Sequence, residues 1–302
     1  MILKDSMRSF SESDTNKQVP LPDGRKLGFA EYGDPLGQPV MFFPGLPGSR
    51  LFRHPDDALT AHLGIRLIVV DRPGIGLSDP APGRTLLSWP NDVLVLARAL
   101  GLDRFVVMGF GAGAAYALAC AYQIPRRVSR VVIVSGMTHL NVLSVFEPMV
   151  PMFRNFAVMA VRAPLLLRLV MYFGAREAQN HPEDYWNRMN MTPLCPADMA
   201  WRFRPEIQRV YVESIRETFA HGSTAFSDDT MLVARDWGFR LEAISVPVQL
   251  WHGLEDRFTP VQMGRYIAER VPVSEAHFIP NAGHALLFSH WQPILTQVQA
   301  AD

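Results

Sequence analysis

Read for its apolar and polar positions, the chain opens with alternation and then changes period. Lys26 to Tyr32 alternates behind an Asp23-Gly24 turn, which predicts an antiparallel pair joined by a hairpin. After that come near-continuous apolar runs at Pro39–Phe43, Arg66–Asp71, Arg104–Met108, Arg130–Ser135, Pro247–Trp251 and Glu275–Ile279. Such runs predict strands covered on both faces. Helix-period stretches separate most of them, including Trp89–Leu100, Ala112–Gln123 and Pro260–Arg270. Alternating strands and helices predict an α/β fold with a mostly parallel sheet between two helical layers.

The alternation stops between Ser135 and Pro247. Leu140–Ala175 is apolar and carries Met149, Met152, Met159 and Met171, while Pro182–Ala220 reads as helix with aromatics at Tyr185, Trp186, Trp201 and Phe203. The expected organisation is a polar arm over residues 1–20, a core from 21–136 and 236–302, and a helical cap at 137–235. A helical insertion at that point would lie over the carboxyl ends of the strands, where α/β sheets hold ligands. Packing alone accounts for any single methionine or aromatic there. As a set they suit an adaptable apolar lining.

Composition narrows the function. Basic and acidic residues balance at 29 each, so the chain lacks the electrostatic footprint of a nucleic-acid or anionic-membrane binder. A small-molecule partner is expected, with a homo-oligomer left open. Cys120 and Cys195 show neither metal-ligand spacing nor a disulfide framework, and no apolar leader stands within Met1–Pro20, so the expected location is cytoplasmic. The apolar run Phe156–Phe173 is interrupted by Arg162, Pro164 and Arg168, which argues against a membrane span.

The stretch with most chemical content is Gly109-Phe110-Gly111-Ala112-Gly113, a glycine-dense turn between a strand and an alanine-rich helix. It satisfies the spacing of a dinucleotide fingerprint through Ala114. The next strand, however, carries no acidic residue for a ribose, and the motif lies a third of the way into the chain. No cofactor is implied, and no metal motif is present. Asp256 follows one predicted strand in His252–Pro260, and His284 follows the last in Asn281–Ala285.

With Phe43–Arg50 and the Asp71–Asp79 turn, these motifs resemble the α/β-hydrolase superfamily, small bacterial capped members in particular, over Pro22 to Ile294. The superfamily's chain order of nucleophile, acid and histidine is matched by Gly111, Asp256 and His284. The resemblance implies that His284 is a general base oriented by Asp256, with His252 bracing the acid loop. It also implies that the backbone amides of Leu46 and Ala112 form an oxyanion hole. Beside these, Phe110, Met149, Met152 and Trp186 are expected to contact substrate. Two positions depart from the pattern: Gly111 stands where the serine nucleophile belongs, and Pro44 where the oxyanion loop usually has histidine. Cys120, Ser49 and Ser135 are the poor alternatives for a nucleophile. The expected activity is therefore acid–base chemistry on an apolar carbonyl or ester compound without a serine acyl-enzyme. Alternatives are a ligand-binding pseudoenzyme and an esterase inactivated by a serine-to-glycine change.

Overall fold

The computed structural model describes residues 12–139, 148–189 and 195–299. Eight strands form one sheet in the order β1-β2-β4-β3-β5-β6-β7-β8: β1 Lys17–Pro20, β2 Lys26–Gly33, β3 Gln38–Phe43, β4 Ile65–Val70, β5 Phe105–Phe110, β6 Val128–Val134, β7 Val248–Gly253 and β8 Ser274–Ile279. The β1–β2 and β2–β4 pairs are antiparallel, and every other pair is parallel. The opening hairpin and all six apolar runs are thus strands, within two residues of the expected bounds.

Two expectations are corrected. The polar arm does not extend to residue 20: Lys17–Pro20 pairs with Lys26–Phe29 at the sheet edge, and Arg50 holds the preceding residues through Thr15 O and Asn16 Oδ1. Nor is β8 covered on both faces. It is an edge strand whose Ser274–Ala276 half is exposed, so Ser274 and Glu275 are solvated.

Period-2 alternation divides the strand side chains between two apolar layers. Met41, Phe43, Val107 and Val131 pack with the helices Trp89–Ala99, Gly113–Gln123 and Val261–Arg270. Val40, Phe42, Val106 and Val132 pack with the C-terminal helix Trp291–Gln299 and the residues before it. The described helices between β6 and β7 are Pro151–Arg162, Pro164–Asn180, Pro182–Met189, Pro196–Arg202, Pro205–Thr218 and Thr224–Ala234. Five of the six begin at proline, whose fixed φ and missing N–H suit the first helical position. Pro164 also splits the apolar run Phe156–Phe173, and no described helix is long and apolar enough to cross a membrane. Leu140 through Glu147, part of the expected methionine-bearing segment, lies outside the described residues.

Candidate active site

The site lies at the carboxyl ends of β3, β5, β7 and β8. β5 delivers Phe110 into a sharp turn, and the helix Gly113–Gln123 leaves it. The flanking glycines are required by contact. A Cβ on Gly113 would lie 1.9 Å from Phe43 O, and one on Gly109 would lie 2.6 Å from Gly113 O. Gly111, at the apex, is different. Its φ is +53°, a region L side chains rarely adopt, yet a Cβ there would meet nothing closer than 3.7 Å, at His284 Cε1. The constraint on Gly111 is conformational and not steric.

The acid loop follows β7. Asp256 is fully buried and accepts four hydrogen bonds: Oδ1 from the amides of Phe258 and Thr259, each at 2.9 Å, and Oδ2 from Thr259 Oγ1 at 2.9 Å and His284 Nδ1 at 2.9 Å. Burial would raise its carboxyl, but the His284 imidazole, helped by His252 and the Thr259 amide, holds it below the usual carboxylate value. His252, buried with its pKa lowered chiefly by desolvation, places Nε2 2.6 Å from Thr259 O. That distance fixes the Nε2–H tautomer and braces the loop.

The His284 ring stands between Phe110 and Phe258, with centroids at 4.8 and 5.1 Å, and Nε2 is 3.8 Å from the Cβ position of Gly111. With Nδ1–H directed at Asp256, Nε2 presents its lone pair above the turn. Leu46 and Ala112 flank the same space, and neither amide donates a hydrogen bond among the described residues. Phe110, Met149, Met152 and Trp186 all line the cavity there, together with Phe153, Phe156, Tyr211 and Phe219. Its volume is about 450 Å³.

The alternative nucleophiles are elsewhere. Cys120 is fully buried, and burial pushes its thiol up. Ser49 Oγ is 3.2 Å from Ser214 Oγ, and neither Ser49 nor Ser135 lines the cavity.

Several site residues were not anticipated from the sequence. Thr259 Oγ1 lies 2.9 Å from Asp256 Oδ2 and 2.8 Å from Ser135 O, and its single proton is shared between these two acceptors; an Asp-x-x-Thr spacing after a strand is the local signal for it. Asp198, on the helix Pro196–Arg202, accepts from the His284 amide at 2.8 Å and the Ala285 amide at 2.7 Å, so the insertion grips the histidine loop. Arg202, one turn on, lines the cavity over Trp186 and Phe258. Arg72 is buried behind the oxyanion loop and donates to Pro44 O at 2.5 Å, Gly45 O at 3.0 Å and Gly48 O at 3.3 Å. Its counter-ion is Asp229 of the helix Thr224–Ala234, at 2.6 Å. Asp229 also meets Arg84 and accepts from Tyr116 Oη at 2.5 Å. Burial would raise this carboxyl too, but Arg84 and Arg72 hold it low.

The α/β-hydrolase fold family model matches residues 38–290. The chain belongs to the α/β-hydrolase family. It is 26% identical over 94% of both chains to 2-hydroxy-6-oxononadienedioate/2-hydroxy-6-oxononatrienedioate hydrolase 2 of Pseudomonas putida. Against 2-hydroxy-6-oxo-6-phenylhexa-2,4-dienoate hydrolase of Burkholderia cepacia it is 25% identical, covering 94% of this chain and 95% of the other. Among solved structures, a hydrolase from Pseudomonas aeruginosa matches with a TM-score of 0.69 at 19% identity, over 94% of this chain and 97% of that one, which is likeness of fold. As a member of this family with hydrolases as relatives, the chain has the scaffold of an enzyme.

Proposed function

We propose that this α/β-hydrolase acts by non-covalent acid–base catalysis on a largely apolar, carbonyl-bearing small molecule, with His284 as the proton carrier and Asp256 orienting it. In this reading Gly111 occupies the nucleophile position of a degenerate triad. Residues 137–235 form a cap over the ligand, and the enzyme is cytoplasmic. The observation that carries it is the His284 ring itself, tied to Asp256 at 2.9 Å on one side and presenting Nε2 to the space above Gly111 on the other.

Two reactions follow from that geometry. In the first, Nε2 takes a proton from the carbon beside the carbonyl. The electron pair moves onto the oxygen, the Leu46 and Ala112 amides stabilise the enolate, and His284 returns the proton elsewhere on the molecule or to a leaving group. In the second, Nε2 takes a proton from water as the water oxygen attacks the carbonyl, then gives it to the departing group. Neither needs an oxygen at position 111. The Pseudomonas putida relative is named for an oxo-acid substrate, which supports a carbonyl compound as the reacting class.

A second reading is favoured by one observation: a side chain at position 111 would make only ordinary contacts. The site would then be a serine hydrolase lacking one oxygen. Turnover of aryl esters, lactones and enolisable ketones by the native chain, Gly111→Ser and His284→Ala, beside labelling with a fluorophosphonate, separates the two. The first reading expects turnover by the native chain without labelling, and a loss of about 10²–10⁴-fold in His284→Ala with ligand binding retained. Equal turnover in His284→Ala would sink it. An inert native chain whose Gly111→Ser variant both labels and hydrolyses would establish the second.

A further inference from the structure

Two arginines line the cavity, and their circumstances differ. Arg188 is paired with Glu177. Arg202 is only 8% exposed and, among the described residues, forms no ion pair and makes no hydrogen bond, so that its Nη1 is buried without a partner there. The carboxylate whose charge acts on it, Asp198, is not hydrogen-bonded to it and accepts instead from the His284 and Ala285 amides. What Arg202 does touch is aromatic: its guanidinium carbon lies 5.0 Å from the Trp186 centroid and 5.0 Å from that of Phe258. These faces orient the fork but satisfy none of its in-plane donors.

A buried, unpaired cation is costly, and a fold retains one where an anion completes it. Desolvation lowers the guanidinium to about 10, which still leaves it charged at neutral pH. The Tyr211 phenol lies in the same field and lines the same cavity, and burial raises its pKa, so it stays a donor. A planar fork beside a phenol suits a carboxylate.

We propose that the cavity takes a ligand with a carboxylate at one end of an otherwise apolar body, and that Arg202 receives that carboxylate. The Phe258 ring that faces Arg202 also faces His284, so one aromatic ring separates the anion site from the proton carrier. The ligand is then an oxo acid or acid ester whose carboxylate lies a few bonds from the reacting carbonyl. This deepens the reading of the cavity as the ligand site, and it is independent of whether His284 performs chemistry.

The test is calorimetric binding of 5-phenylpentanoate and of its primary amide, 5-phenylpentanamide, to the full chain. The native protein is expected to prefer the carboxylate by on the order of 10- to 100-fold, as a charge-assisted pair in a buried site does. Arg202→Met is expected to erase the preference while binding the amide unchanged, and His284→Ala to keep it. Equal binding of the two probes by the native protein, no binding of the carboxylate, or a preference that survives Arg202→Met would each overturn the assignment. Should Arg202→Met not fold, Arg202→Lys decides. It keeps a point charge without the fork, so a preference reduced several-fold is expected and an unchanged one overturns the proposal. Failure of the catalytic reading registers separately, as turnover undiminished in His284→Ala.

Discussion

The two halves of the site are held by different physics. On the side of the elbow, the strand-to-helix turn of Gly109–Gly113, the residues Gly109, Gly111 and Gly113 are fixed by backbone contact and backbone conformation, with Gly113 packed against Phe43 O. On the acid–base side, Asp256, Thr259, His252 and His284 are fixed by a hydrogen-bond set that uses both oxygens of one buried carboxylate. The first half keeps its shape whichever small residue stands at its apex. The second keeps its shape only while its polar groups remain. A turn with no oxygen is therefore compatible with an intact elbow, whereas an intact Asp256–His284 pair depends on each partner.

That contrast can be broken most severely at Gly113. Gly113→Ala drives a Cβ into Phe43 O, and a loss of more than about 3 kcal/mol, or no folded protein, is expected in thermal unfolding. Asp229→Asn leaves Arg72 and Arg84 buried without their counter-ion, a loss of about 3–5 kcal/mol in urea unfolding. A stability within about 1 kcal/mol of native would show that the oxyanion loop is held in some other way.

Acid separates the polar half from the rest of the fold. Asp256 has a folded pKa below its unfolded one, so its contribution is complete above the ordinary carboxylate value and is lost as pH falls through the lower folded value. Losses at milder pH must come from elsewhere. His54 is buried against Trp291, and desolvation lowers it to about 4. The unfolded chain therefore binds the proton first, and stability falls from about pH 6.5 down to about pH 4, by at most about 3 kcal/mol for this group. His252, also lowered, acts in the same direction. His54→Asn, which keeps an acceptor for the Asp56 amide, should flatten the pH profile of Tm in that window and leave the steeper acid limb in place. An unchanged profile would place the effect on other groups.

The gentlest change is Gly111→Ser. It meets no clash and costs only the left-handed backbone, about 1–3 kcal/mol, so the variant should fold with a modestly lower Tm. A collapse in stability comparable to that of Gly113→Ala would erase the distinction between the glycines.

Much of this architecture was legible in the sequence, because its signals are local. Apolar runs such as Arg66–Asp71 and Pro247–Trp251 mark strands by themselves, and the elbow, acid loop and histidine loop are each short motifs next to a strand. The groups that were not legible act over distance. Arg72 and Asp229 are 157 positions apart, and Asp198 and the His284 amide are 86 apart. In sequence, Asp198 and Arg202 are ordinary charges on a short amphipathic helix. Nothing in that pattern distinguishes a solvated charge from one turned inward. Edge position was equally hidden, as β8 shows, because an apolar run does not record how many neighbours its strand has.

The grip of the insertion on the core also has a kinetic consequence. Asp229 is tied to Arg72, Arg84 and Tyr116, and Asp198 to the histidine loop, so lifting the whole insertion would strand buried charge at two separate points. The expected route into the cavity is then by small local movements at the exposed face where Val170 and Phe173 line it. Association rates should then follow side-chain size at those two positions: Phe173→Ala should speed both capture and escape of an apolar ligand in stopped flow while leaving its affinity nearly unchanged, and rates insensitive to that truncation would place the route elsewhere.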